Sequence, residues 1–177
     1  RLASEKHIDW LVAAVIKLKK QFPQVTLDIY GEGGERAKLQ QLIQEGHAQD
    51  YIHLKGHQDL GRVYQNYQAY AAASTSEGFG LSLLEAVGSG LAMVGFDVRY
   101  GNQTFIRNGK NGYLIPYDRS ETGEVATASL VEALVKLFAK LDLERAEQVS
   151  YDLAAAYLEP EIEAKWAQLL KEVQADD

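Results

Sequence analysis

The chain has 177 residues, 46% of them hydrophobic, which is enough to build one core and does not require a second. It contains no cysteine, which excludes a disulfide framework or a thiolate centre and suits a reducing compartment, so a cytoplasmic location, free or at the inner face of the membrane, is expected. The net charge of −7 resides in the C-terminal third: residues 1–117 carry 12 Lys and Arg against 11 Asp and Glu, residues 118–177 carry 6 against 14, and neither part offers the basic face that nucleic acid requires. No apolar run approaches the ~20 residues of a membrane span, and the start at Arg1, without a signal-peptide pattern, reads as a piece cut from a longer protein.

Ser4 is placed to cap a helix running through E-K-H-I-D-W-L-V-A-A-V-I-K-L-K-K-Q-F, in which Ile8, Leu11, Val12, Val15, Ile16 and Leu18 recur at helical spacing and Pro23 follows the end. Residues 25–30 alternate as a strand, and G-E-G-G-E-R turns the chain into a helix with Leu39, Leu42 and Ile43 on its buried side. Strand, glycine turn and helix is the order of a dinucleotide fingerprint, but the third glycine position holds Arg36, and Asp50 precedes the next strand instead of ending it. A plain tight turn accounts for these glycines equally well. Residues 51–54 form the next strand, and residues 59–66 read as a helix. His53 and His57 flank Gly56 without a third ligand, so no metal centre is expected.

The most informative stretch is A-A-A-S-T-S-E-G-F-G-L-S-L-L-E-A-V-G-S-G. Residues 69–73 read as a buried strand, residues 74–78 as a polar loop, and from Gly80 onward Leu81, Leu83, Leu84 and Val87 recur at helical spacing. Gly78 and Gly80 let a ligand approach the backbone, and the first turn of the helix presents unpaired N–H groups at the positive end of its dipole, which together make an anion site. Glu77 and Glu85 frame it. Carboxylates accept hydrogen bonds from vicinal hydroxyls, so anion-binding backbone between two of them describes a site for a sugar nucleotide; the alternative is a surface loop with two solvated glutamates. Beyond it lie a strand at 91–96, a loop D-V-R-Y-G-N, a short helix at 103–107 and a strand at 112–115, with Asn108-Gly109 and Asn111-Gly112 as turn pairs. Helical periodicity then spans residues 126–141, 143–157 and 160–173. Alternation of strands and helices predicts an α/β fold, a Rossmann-like doubly wound parallel sheet with C-terminal helices.

E-G-F-G-L-S-L-L-E resembles the E-x7-E signature of the retaining glycosyltransferases of GT-B type, the large family that includes glycogen and sucrose synthases and bacterial wall glycosyltransferases. R-L-A-S-E-K is similar to the R-L-x-x-E-K that opens their nucleotide-binding domain, and Y-G-E-G resembles the glycine turn at the mouth of their nucleotide cleft. The run F-D-V-R-Y-G-N-Q-T-F-I-R-N-G-K-N-G-Y-L-I-P resembles one branch in particular, the poly(glycerol-phosphate) α-glucosyltransferases and the N-acetylglucosaminyltransferases of teichoic acid and serine-rich adhesins. Relatives outside it read G-G-x-x-E-x-I; the acidic position is Thr104 here, and the role of that acid is not carried over.

The resemblance implies one donor-binding domain over residues 1–177, Rossmann-like to about 116 and helical from about 126, forming the C-terminal half of a two-domain enzyme. It implies that Arg1 and Lys6 grip the diphosphate as sugar leaves, and that Gly31 lies at the cleft mouth. Glu77 would hold the transferred hexose, with Arg1 and Lys6 as its catalytic companions. Gly78, Phe79, Gly80, Leu81 and Ser82 would face phosphate and sugar, and Glu85 would take the ribose hydroxyls. The loop at His57 would lie beside the base. The donor would be UDP-glucose or UDP-N-acetylglucosamine, with no metal and no other cofactor. The acceptor, a teichoic acid or a serine-rich glycoprotein, would be bound mainly by an N-terminal domain outside this chain, and a second copy or a partner subunit is a further expected partner. Apart from Arg1 and Leu2, the strand that precedes R-L-x-x-E-K in such domains, central in the order 3-2-1-4-5-6, is missing, so a gap in the sheet, or a slot filled by another segment or chain, is expected. A non-catalytic nucleotide-binding or chaperone subunit of the same fold is the alternative function.

Overall fold

The computed structural model describes residues 1–175. Its elements alternate along the chain: α1 (Ile8–Leu18), β1 (Leu27–Tyr30), α2 (Arg36–Glu45), β2 (Ile52–Gly56), β3 (Ala69–Ala72), α3 (Leu81–Gly88), β4 (Ala92–Phe96), α4 (Gly101–Phe105), β5 (Gly112–Ile115), then α5 (Gly123–Lys140), α6 (Leu143–Ala155) and α7 (Glu159–Ala175). Every strand pair is parallel, as the crossover helices require. The strands form two sheets, β1-β2 and β3-β4-β5, so the expected gap falls between β1 and β3. The tyrosine hydroxyls of Tyr30 and Tyr67 meet across it at 2.7 Å.

Two apolar clusters lie on opposite faces. Leu11, Val12, Val15 and Leu18 of α1 share one with Leu130, Leu134 and Leu137 of α5, and with Ala92, Val94 and Phe96 of β4. Met93, which alternation points the other way, joins Leu83, Val87, Phe105 and Ile106 in the second. All five residues of β4 are buried, as in a strand covered on both faces. Thr122 and Asp142 cap α5 and α6 by accepting from the N–H groups of Val125 and Arg145.

Several boundaries differ from those expected. Ser4 does not cap α1. Residues Ser4–Lys6 form a 3-10 turn, and His7 follows with φ of 44°, a left-handed conformation that breaks the helical path before Ile8. The predicted helix at 59–66 contracts to a 3-10 turn at Tyr64–Asn66, because the segment is too short to repay nucleation and Tyr64 alone is buried in that turn. The helix expected at 103–107 begins at Gly101 and ends at Phe105, since Ile106 adopts extended backbone with φ of −109° and ψ of 121°.

The glycine turn after β1 has a packing cause that the sequence did not disclose. Leu2 N donates to Glu32 O at 2.9 Å, Glu35 N donates to Leu2 O at 3.3 Å, and a Cβ on Gly33 would stand 2.2 Å from Leu2 O. The turn is bare because the N-terminal backbone passes over it. A similar constraint acts at Gly112, where a Cβ would stand 1.8 Å from the Met93 carbonyl of the neighbouring strand. Gly112→Ala is therefore expected to cost about 3 kcal/mol, the upper end for overpacking, because the obstacle is backbone. At Gly109 a Cβ would meet nothing within 4 Å, and Gly109→Ala should cost only about 1 kcal/mol for its φ of +72°. Urea unfolding of the two variants measures the difference, and equal losses would contradict the close β4–β5 approach.

Candidate donor site

The loop that follows β3 carries Glu77 and is fastened on two sides. Tyr100 N and Gly101 N donate to the Glu77 carbonyl, Glu77 N donates to Arg99 O at 3.4 Å, and Thr75 N donates to Glu5 O at 3.4 Å. The loops after β3 and β4 and the N-terminal turn thus gather at the C-terminal ends of the strands, where open α/β sheets bind ligands. Lys6 reaches into this region because the left-handed His7 keeps it off α1. Its Nζ lies 2.6 Å from Glu77 Oε2, with the side chains 28% and 15% exposed. Half-buried charges of this kind persist only when paired.

Gly80 precedes α3 with φ of 78°, and a Cβ there would stand 2.6 Å from Leu83 Cδ1. No side chain caps this helix start; Leu83 N and Leu84 N donate to Gly80 O at 2.9 and 3.1 Å, which leaves the N–H groups of Leu81 and Ser82 as the donors of the first turn, flanked by the exposed Phe79 and Leu81. Glu85 stands on the exposed side of α3, and the Tyr64 hydroxyl donates to its Oε2 at 3.0 Å. The Tyr70 hydroxyl donates to Ser82 Oγ at 2.9 Å. Burial raises the Tyr70 phenol above its ordinary pKa, and the charges of both Glu77 and Glu85 raise it further. Both carboxylates thus act on the same phenol, Glu77 from the half-buried loop and Glu85 from the exposed side of α3.

Arg1 behaves differently. Its backbone N would lie 3.3 Å from a Cβ on Gly31, which places the two together, but its guanidinium is 73% exposed and bonds Glu5 Oε1 at 2.7 Å. The structure joins Lys6 to Glu77 and leaves Arg1 on Glu5. Thr104 donates to Tyr100 O at 2.9 Å, a local bond that needs no acid at that position. A cavity of about 480 Å³ lies elsewhere, among α1, α2 and the start of α5, lined by Asp9, Trp10, Lys17, Lys38, Glu45 and Glu124 among others, and includes none of these residues. Tyr64 and Tyr70 were not singled out from the sequence; the spacing of Tyr64, Tyr67 and Tyr70 by threes was the available signal.

The middle one, Tyr67, belongs to a second cluster. Asp28 on β1 accepts from the Tyr67 hydroxyl, lies 2.7 Å from His53 Nδ1, and lies 3.5 Å from Lys55 Nζ. His53 thus has a carboxylate partner, His57 is exposed, and among the described residues no group of three or more His, Cys, Asp or Glu is placed to hold a metal ion. Burial acts to raise the Asp28 pKa, but hydrogen bonds from Tyr67 and His53 and the charge of Lys55 outweigh it and hold the carboxyl below its usual value. A carboxyl depressed in this way contributes stability that is full above its unfolded pKa, about 3.9, and is lost as pH falls through the lower folded value. The stability advantage of the natural protein over Asp28→Asn should accordingly shrink as pH is lowered below about 4. Unfolding curves across that range test it, and a pH-independent difference would show that Asp28 is unperturbed.

Parallel strands, loops gathered at one end and an uncapped helix start between two carboxylates define the class, a Rossmann-like half of the GT-B glycosyltransferase fold. The family described as Glycosyl transferases group 1 matches residues 1–141, and the chain belongs to it. It is 56% identical over 176 residues to the UDP-N-acetylglucosamine–peptide N-acetylglucosaminyltransferase GtfA subunit of Streptococcus gordonii, covering 99% of this chain and 35% of that protein. The crystal structure of the pneumococcal O-GlcNAc transferase GtfA in complex with UDP and GlcNAc superposes with a TM-score of 0.93 at 49% identity, over 98% of this chain and 34% of the other. The crystal structure of a GtfA/B complex gives 0.94 at 56% identity, over 100% and 35%. The chain therefore spans about a third of the length of the relatives it matches. None of the described helices is long and apolar enough to cross a membrane.

Proposed function

We propose that the chain is the donor-binding domain of a retaining glycosyltransferase that moves N-acetylglucosamine from UDP to a serine-rich protein, working with an acceptor-binding region and a partner subunit outside it. The observation that carries this reading is the Lys6–Glu77 pair, 2.6 Å apart, beside the uncapped start of α3. A phosphate-seeking cation and a hydroxyl-seeking carboxylate stand where a sugar diphosphate needs both. The similarity to GtfA, whose crystal complex holds UDP and GlcNAc, supports N-acetylglucosamine over the glucose that the sequence left open. The retention of Lys6, Glu77 and Glu85 favours an enzyme over a nucleotide-binding chaperone.

Departure of the sugar throws negative charge onto the diphosphate. Lys6, Arg1 swung from the exposed Glu5, and the α3 N–H groups meet that charge, and Gly31 lets the backbone carrying Arg1 approach. Preorganised donors at developing charge are worth roughly 2.7–4 kcal/mol each, so these suffice for a sizeable part of a barrier reduction. Glu77, released from Lys6 as the diphosphate takes that ammonium, holds the hexose hydroxyls. Gly78, Phe79, Gly80, Leu81 and Ser82 line the phosphate and sugar between it and Glu85, which takes the ribose.

On this reading UDP binding survives EDTA, because side-chain cations and a helix N-terminus occupy the role of a metal. Titration calorimetry with and without chelator tests this, and a strict need for magnesium or manganese would refute the phosphate assignment. In the full-length protein Glu85→Gln should weaken UDP and UDP-N-acetylglucosamine alike, by about tenfold to a hundredfold for one charge-assisted hydrogen bond. Glu77→Gln should leave UDP binding nearly unchanged and depress turnover, since its partner is the transferred sugar. If Glu77→Gln weakened UDP as much as Glu85→Gln, the two ends of the donor would be wrongly assigned.

A further inference from the structure

Glu85 lies on an exposed helix face, where a glutamate ordinarily samples several rotamers. Here its Oε2 accepts from Tyr64, whose ring is only 7% exposed and packs in the cluster with Leu83, Val87 and Met93. The Tyr64 ring also lies tilted against Tyr70 with centroids 6.5 Å apart, and Tyr70 in turn holds Ser82 one turn before Glu85 on α3. Tyr64 comes from the 3-10 turn before β3, so the contact bridges two separate elements. Among the described residues no hydrogen-bond donor reaches Glu85 Oε1, which leaves one carboxylate oxygen fixed and the other open. Burial, with the Glu85 acceptor adding to it, raises the Tyr64 phenol well above its ordinary pKa, so the hydroxyl stays a proton donor at any working pH.

We propose that Tyr64 is a positioning residue that holds the Glu85 carboxylate in the one orientation able to accept from both hydroxyls of a nucleotide ribose, and so sets the preference of the site for ribose over deoxyribose. The inference rests on the donor-site reading above. A vicinal diol presents two hydroxyl donors at fixed separation, and a carboxylate whose orientation is already set receives them at lower ordering cost, one at Oε1 and the other at Oε1 or at the remaining lone pair of Oε2. Tyr64 does not itself touch the nucleotide. It removes rotamers of Glu85 that would otherwise be lost on binding, an ordering cost that falls on the ligand when the brace is absent.

The test uses the full-length protein and two probes, UDP and 2′,3′-dideoxy-UDP, measured by calorimetry. The natural protein should bind UDP well ahead of the dideoxy compound. Tyr64→Phe keeps the buried ring and deletes the hydroxyl. It should weaken UDP by about threefold to tenfold, the scale of freeing a long side chain, and leave the dideoxy affinity unchanged. 4-Aminophenylalanine at position 64 retains a donor at the same place and should restore the preference, which a purely space-filling role for Tyr64 would not require. In a Glu85→Ala background, Tyr64→Phe should have no further effect on UDP. Equal weakening of both probes by Tyr64→Phe, no weakening of either, or failure of the amino analogue to restore the preference would each overturn the proposal. A natural protein that binds the two probes equally would sink the ribose assignment of Glu85 itself, an outcome read before any variant is made.

Discussion

Glu77 is held at both its carbonyl and its carboxylate, and the arrangement around α3 depends on that. Its carbonyl accepts from Tyr100 and Gly101 in the loop after β4, and its carboxylate meets Lys6 from the N-terminal turn. Each contact joins a different part of the chain to the same residue. The loop that leads to Gly80 and the start of α3 is therefore held by two other parts of the chain. With only 15% of its side chain exposed, Glu77 could not stand unpaired without cost. A ligand that draws Lys6 away must offer the carboxylate replacement donors, and the hydroxyls of a sugar are suitable ones.

The rest of the fold explains how a sheet in two pieces keeps this geometry. No ladder joins β1 to β3, and the two sheets cohere through helices packed across them. α1 and α5 share one apolar layer that contacts residues of both sheets, among them Ile29 and Ile52 on one side and Val94 and Phe96 on the other. The Tyr30–Tyr67 bond and the passage of Leu2 over the glycine turn add polar links near the same seam. Where no ladder runs between β1 and β3, non-directional side-chain packing connects the two sheets.

The buried polar groups divide by task. Asn111 accepts from Arg107 N at 2.7 Å and donates to Phe105 O at 3.0 Å and Ser150 Oγ at 3.1 Å, while Ser150 donates to Leu91 O at 2.8 Å. That network pins α6 against the loops bounding β4 and β5, and is satisfied within the fold. The Tyr64–Glu85 and Lys6–Glu77 contacts, by contrast, sit at the surface end of the strands and each leaves part of a carboxylate available. The first holds the scaffold, and the second pair lies within the proposed donor site.

Much of this was legible in the chain, because the legible features are local. Hydrophobic spacing placed α1, α2, α3 and the C-terminal helices to within a few residues, and β4 read as a strand from its unbroken apolar run. The short motifs around Arg1, Lys6, Glu77 and Glu85 announced the family through residue identity at fixed spacing. The errors fell where local preference competed with something distant. Ser4 had the chemistry of a cap, yet the left-handed His7 broke the helix so that Lys6 could reach Glu77. The helix expected at 59–66 shrank because only Tyr64 of its final turn is buried, too little packing to repay nucleation. The sequence by itself determined the alternation of elements, the parallel direction they impose and the motifs that mark the family, since periodicity, chain connectivity and side-chain chemistry all act over a few neighbouring positions. Only the tertiary structure decided that Lys6 pairs with Glu77 while Arg1 stays on Glu5, that Tyr64 braces Glu85, and that Gly33 is bare for the sake of Leu2, because each depends on which distant backbones the packing of the core brings within 3 or 4 Å of each other.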